Sequence, residues 1–364
     1  MKQTPKKIKF RKSNSNFYKE LQQQVNTLVT AKTFTKANRL MIFKFATYSL
    51  LCVSLYSSIY VKAVPHNQLI IVLTYIAYGF TALLLAFNSA HDAVHHTFSK
   101  TKWVNDLVFY LTFNLQGTNG RLWRKRHISS HHIFPNVDDC DADFDNNPFI
   151  RLSVTHPLKK HHRFQHLYAL PIYCLYTLHW IIIKDFIYLR KKKVANISVS
   201  GYSFWFWLEV IALKIAYFSW MIFLPAYFST YQFSEILIAF LLMHVVISVF
   251  FILTLIISHL TMETAFPVCD EHGFLPTDYY EHQLAVSLDY HPNSKLASWI
   301  FGGFNAHAAH HLFPSLPHTV YALITPSIKA TAAKYDLKYN EKSIPAAVLS
   351  HFNYLKKLGT RAHS

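Results

Sequence analysis

Three short clusters of histidine hold the residue types and spacings best suited to chemistry. HDAVHH at 91–96 sets His91 and His95 at i and i+4. A helix there would present both imidazoles on one face, a two-ligand arrangement for a metal. RHISSHH at 126–132 repeats the spacing with His127 and His131 and adds His132. HAAHH at 307–311 contributes His307, His310 and His311. One such cluster could be no more than a histidine-rich surface. Three at helical ligand spacing point to metal chemistry, provided the fold gathers them in one place.

The elements that must gather them are long and apolar. Runs at 41–61, 68–90, 204–229 and 235–259 are each long enough to cross a bilayer as a helix. Short polar links join them in pairs, so the expected fold is an all-α integral membrane protein. Its four transmembrane helices form two hairpins. Ten lysines and arginines crowd residues 1–40 and more lie at 190–193, whereas the turn between runs three and four has none. The first hairpin turn offers only Lys62. The positive-inside rule therefore puts both termini and all three clusters on the cytosolic side. The chain divides into a basic N-terminal tail (1–40), a first hairpin (41–90) and a cytosolic segment with the first two clusters (91–203). A second hairpin (204–259) and a C-terminal cytosolic segment with the third cluster (260–364) follow.

Weaker apolar stretches at 105–116 and 166–189 contain Asp106, His179, Lys184 and Asp185 and read as interfacial helices. Lys214 is expected to snorkel near an interface. His244, roughly 22 Å up its helix from His259, is expected to be a hydrogen-bonded structural histidine, though an ionisable group at that depth is also a functional candidate.

With this topology the end of the fourth run brings His259 to the side of the clusters. The candidate ligand set is then His91, His95, His127, His131, His132, His259, His307, His310 and His311. One tetrahedral zinc uses four at most; nine suit two metals. Imidazole accepts iron, copper, zinc or nickel, so ligand type leaves the metal open. Asp92, beside His91, and Glu263, four residues after His259, are placed to accept outer imidazole N–H groups and fix ring orientation. The DDCDADFD run at 138–145 either acts likewise or is an acidic solvated loop. Arg121, Arg124, Lys125 and Arg126 precede the second cluster, where they could meet a substrate head group or simply supply positive-inside charge.

Composition narrows the classes. Hydrophobic residues make up 52% of the 364 and glycine numbers only eight, which excludes a disordered or fibrous chain. A net charge of +17 would suit a nucleic-acid binder, but no recognisable module accompanies it and none is expected. Cys52, Cys140, Cys174 and Cys269 lack metal spacing and read as free thiols in a reducing compartment. The polar, lysine-rich start predicts no cleaved leader.

The whole pattern resembles the membrane fatty acid desaturase superfamily: an HxxxH, an HxxxHH and an HxxHH in that order around paired spans. QGTNGRLWRKRHISSHH at 116–132 is similar to that family's second box. SHLTMETAFP at 258–267, EHQLAVSLDY at 281–290 and GGFNAHAAHHLFPSLPH at 302–318 resemble the C-terminal half of bacterial linoleoyl-CoA-desaturase-like proteins. Where front-end desaturases usually open the third box with glutamine, this sequence has His307. The resemblance implies a four-span bundle under a cytosolic helical cap and two irons held by the nine histidines, with O2 as co-substrate and a long-chain acyl lipid as substrate. It also implies an enzyme, an O2-dependent oxidoreductase of fatty acid biosynthesis. His282 falls outside the nine as a substrate-side or supporting candidate. No HPGG haem-binding signature occurs, so a separate donor of the ferredoxin or cytochrome b5 type is implied. The alternatives are a fatty acyl or sterol-type hydroxylase or a carotenoid oxygenase on the same di-iron set, or a histidine-rich membrane protein that binds or transports metal.

Overall fold

The computed structural model describes residues 8–12, 15–62 and 66–360. Among the described residues four single helices are long and apolar enough to cross a membrane: Ala31–Ser58, Gln68–Val94, Phe204–Phe228 and Phe233–Ile256. Their outward faces carry exposed Leu50, Val53, Leu73, Ile215 and Leu242, so large apolar side chains point away from the protein interior. The first helix starts ten residues before its apolar run. Thr30 caps it by accepting from the Thr33 N–H, and the helix then passes through Lys36 and Arg39 before turning apolar. The apolar run covers only part of the helix; its cap marks where it begins.

Three contacts set the bundle. Gly79 lies so close to the fourth helix that a Cβ there would come within 2.5 Å of Met243 Cγ. Tyr75 and Tyr56 donate to the carbonyls of Met221 and Trp220, at 2.7 and 2.6 Å, tying the first two helices to the third. Those acceptors lie in a π-helical turn at Ser219–Phe223, where the ladder is loosened.

The 166–189 stretch forms helices bent by 76° between Lys160–Tyr173 and Tyr176–Arg190. Pro171 lies just before that break. Lys214 differs from its expected place: it is buried, donates to the Gly117 carbonyl at 2.6 Å, and pairs with Asp185. Asp185 in turn accepts from the Asn119 N–H at 3.0 Å and Trp180 Nε1 at 3.2 Å. A partner was within reach, so the ammonium had no need of an interface. Lys214→Ala leaves that carboxylate buried and uncompensated and is expected to cost about 3–5 kcal/mol. A detergent melting curve within about 1 °C of wild type would refute it.

The N-terminal region is more ordered than a solvated tail. Helix Phe17–Leu28 buries Phe17, Leu21 and Val25 against the cluster that includes Ile324 and Ile328, and Lys9 bridges to Phe274. The i, i+4, i+8 spacing was in the sequence; the partner helix was not. Lys6 and Lys7 lie outside the described residues. Four two-residue strands are the described sheet content, a minor departure from all-α. All four cysteines are unbonded.

Candidate metal centre

Each cluster is delivered by a local device. The second long helix passes through a π-helical turn at Ala86–Ala90 before its last turn carries His91, with His95 at the cap. Asn119 caps the helix Gly120–Arg126, accepting from the Leu122 N–H, and a π-helical turn at His127–His131 follows. The third cluster follows Gly302 and Gly303, both at positive φ. A Cβ on Gly302 would sit 2.4 Å from the Phe87 carbonyl oxygen, so glycine lets the third cluster press against the second long helix. His259 sits in the turn just past Ile256, the end of the fourth helix.

All nine histidines converge. The Nε2 of His127 lies 3.2 Å from that of His91, 3.1 Å from that of His95 and 3.0 Å from that of His132. His132 is also 3.0 Å from His310. On the other side His307 Nε2 is 2.7 Å from His259 Nε2 and 3.2 Å from His311 Nε2. Ligand atoms of His91, His95, His127 and His310 lie within 4.8 Å of one another, as do those of His131, His259, His307 and His311. The i, i+4 pair of the second cluster is thus divided, His127 to one group and His131 to the other.

The outer nitrogens explain what the inner ones are. His259 Nδ1 faces the Val286 carbonyl at 3.0 Å, His131 Nδ1 faces Asp141 at 3.1 Å, and His311 Nδ1 faces Gln283 Oε1 at 2.8 Å. Carbonyl and carboxylate oxygens only accept, so each Nδ1 carries a proton, and each ring when neutral turns an Nε2 lone pair inward. Burial, and then neighbouring rings, hold the pKa values of His127, His132, His307, His310 and His311 well below the ordinary imidazole range. Burial opposes charge on His131 too, but Asp141 outweighs it and the pKa rises. Lone pairs crowded this closely repel unless a cation lies between them, so the donor set fits a metal pair.

The expected supporting carboxylates stand elsewhere. Asp92 binds His318, whose backbone N–H and Nδ1 both reach it, and His318 Nε2 is 2.7 Å from Lys44 Nζ. A residue next to a ligand on a helix points about 100° away from it, which is why Asp92 faces another wall. Glu263 pairs with Lys342 and Ser350, because the helix has ended and no i+4 register survives. His282 bonds the Pro135 carbonyl at 3.0 Å and braces the loop after the second cluster. Asp141 belongs to the 138–145 run singled out in the sequence. Gln283, one residue from His282, carried no signal beyond its place on a short helix. Asp141→Asn is expected to weaken metal binding 10–100-fold, read by competition with a chelator; unchanged affinity would remove Asp141 from this role.

A cavity of about 960 Å³ abuts the histidines and is lined by His91, His127, His131, His259 and His307 at one end. Leu83, Phe87, Ile247, Phe251 and Leu255 form apolar walls, and Tyr78, Gly79, Tyr217 and His244 line the part deepest in the bundle. His244 is fully bonded, to Thr177 Oγ1 at 2.9 Å and Tyr217 OH at 3.0 Å, as expected of a structural histidine. Of the basic residues, Arg121 pairs with Glu209 at 3.1 Å and Arg124 with Asp106 at 2.7 Å. Lys125 lies 6.0 Å over Tyr202, and only Arg126 of the four lines the cavity.

The fatty acid desaturase family model matches residues 67–343. Similar proteins include an acyl-lipid (8-3)-desaturase of Physcomitrium patens, 26% identical over 95% of this chain and 72% of its own. An sn-1 linoleoyl-lipid 6-desaturase of Arthrospira platensis is 25% identical over 98% and 96%. Delta(5) fatty acid desaturase A of Dictyostelium discoideum is 24% identical over 95% and 75%.

Proposed function

Because this chain belongs to the fatty acid desaturase family, we propose that it is an acyl desaturase working on a lipid-borne long chain beside a pair of histidine-held irons. The net reaction removes two hydrogens from adjacent methylenes: R–CH2–CH2–R′ + O2 + 2 electrons + 2 H⁺ gives R–CH=CH–R′ + 2 H2O. His91, His95, His127, His132 and His310 would hold one iron; His131, His259, His307 and His311 would hold the other. When bound, that pair supplies with O2 the power to break an unactivated C–H bond, which no acid or base side chain possesses.

The chain's own residues do the rest. The apolar walls take up an alkyl chain and exclude water, while rigid helices hold one pair of methylenes at the histidine end. The carrying observation is the inward turn of the Nε2 atoms at the end of an apolar cavity. Among the described residues His244 is the only histidine deep in a long apolar helix, which argues against a metal pathway along the spans. The lipid-borne substrate is supported by the acyl-lipid names of relatives.

The four apolar helices would sit in the bilayer as two hairpins. Both termini and the nine histidines would face the cytosol, in keeping with the basic residues outside the spans. Two electrons per turnover would come from a small ferredoxin or cytochrome b5. Expression in a host lacking the activity, followed by mass spectrometry of its lipids, tests the assignment. A new double bond supports it; a hydroxylated chain, or an unchanged profile with iron bound and reductant present, refutes it.

A further inference from the structure

Two cations in the cavity wall have no role in gathering the histidines. Arg126 is 3% exposed and its guanidinium lies 4.1 Å over the Tyr188 ring and 5.8 Å over Trp180. Its Nε and Nη1 have no hydrogen-bond partner. Lys184 shares the same aromatic cluster, 5.0 Å from the Tyr176 ring and 5.2 Å from Trp180, and donates to Tyr176 OH at 2.9 Å. Both line the cavity. Among the described residues neither forms an ion pair. Three carboxylates line the same cavity: Asp141 faces His131 at 3.1 Å and Asp145 is taken by Lys191 at 2.7 Å. Asp143 lies within 4.8 Å of the ligand atoms of His127 and His131 and attracts Arg126 and Lys184 only at longer range, outside ion-pair distance.

Rings stabilise a buried cation in part, yet an acceptor oxygen stabilises it more. An acyl chain has such an oxygen at one end only. Entering methyl-first toward Arg126 would set two cations against hydrocarbon, whereas the carbonyl end offers them a partner. The opposite, apolar reach of the cavity toward Gly79 receives the rest of the chain. Arg126 and His127 are consecutive, with Cα atoms about 3.8 Å apart, so the anchored carbonyl lies a short way from the histidines.

Resting on the desaturase reading, we infer that Arg126, with Lys184, binds the carbonyl end of the acyl chain and sets the carbon count from that end. The ligand chemistry is an ester or thioester carbonyl. The test uses the full chain in detergent, zinc-loaded for binding and iron-loaded for turnover. Affinity for an ester-linked lysophospholipid, its ether-linked counterpart and an acyl thioester is read by tryptophan fluorescence. Wild type should bind the ester at least tenfold tighter than the ether and place its double bond at one position. Arg126→Gln should bring that ratio within twofold, raise KM at least tenfold and spread the double bond over adjacent positions, with Arg126→Lys in between. The thioester's rank beside the ester tells which carrier presents the carbonyl.

Equal binding of ester and ether by the wild type would overturn the inference, as would an Arg126→Gln protein that keeps the ratio and the position. So would equal weakening of both ligands alongside a lowered melting point, the mark of a merely structural arginine. If Arg126→Gln does not fold, the wild-type ratio and Lys184→Met decide by the same criteria. Discrimination without any product would refute the desaturase reading and leave the anchor standing; product without discrimination would do the reverse.

Discussion

His127→Ala is expected to cut bound metal below two per chain and to lower product by more than about 100-fold, the upper end of what losing a mere supporting group costs. Its Nε2 stands within 3.2 Å of three other histidine nitrogens, those of His91, His95 and His132. Metal content by mass spectrometry and lipid analysis on the same preparation check the outcome. A variant with full metal and wild-type product would remove His127 from the centre, and the division of ligands into two groups with it.

Acidifying the metal-free protein from pH 7 toward 5 is expected to destabilise it steeply. Burial first, and neighbouring groups second, hold His127, His132, His259, His307, His310 and His311 well below the ordinary imidazole range. In the unfolded chain each titrates near its ordinary value of about 6.5. Below that pH the unfolded state takes up protons that the folded state refuses, so stability is full above about 6.5 and falls with pH. Each such proton contributes about 1.4 kcal/mol per pH unit. His131, whose pKa is raised, has the opposite sign: its contribution is present below about 6.5 and is lost as pH rises through its folded value. Six groups outweigh one. A melting temperature that stays level between pH 7 and 5 would mean the rings are hydrated or charged in the fold. With metal bound, the same protons compete for the ligands, and acid should release the ions first.

The reach of sequence reasoning follows from range. HDAVHH, RHISSHH and HAAHH were visible because imidazoles at i, i+3 and i+4 are a local pattern, and the four helices because apolar length is local too. His259 came from where the fourth run ends. What failed was the set of supports. Asp92 and Glu263 are near ligands in sequence, yet their partners are His318 and Lys342. The carboxylate that does steady a ring is Asp141, ten residues from His131 across a loop. Lys214 was misplaced for the same reason: its partner Asp185 belongs to another helix.

The sequence by itself determined which atoms were available: nine imidazoles, four helices of membrane length, and a basic surface outside them. The tertiary structure decided their use. Packing at Gly79 and Gly302, where no Cβ fits, brings distant segments to contact, and the outer hydrogen bonds of His131, His259 and His311 turn three lone pairs inward. Proximity across tens to hundreds of residues depends on how the whole core closes, and no local pattern encodes it.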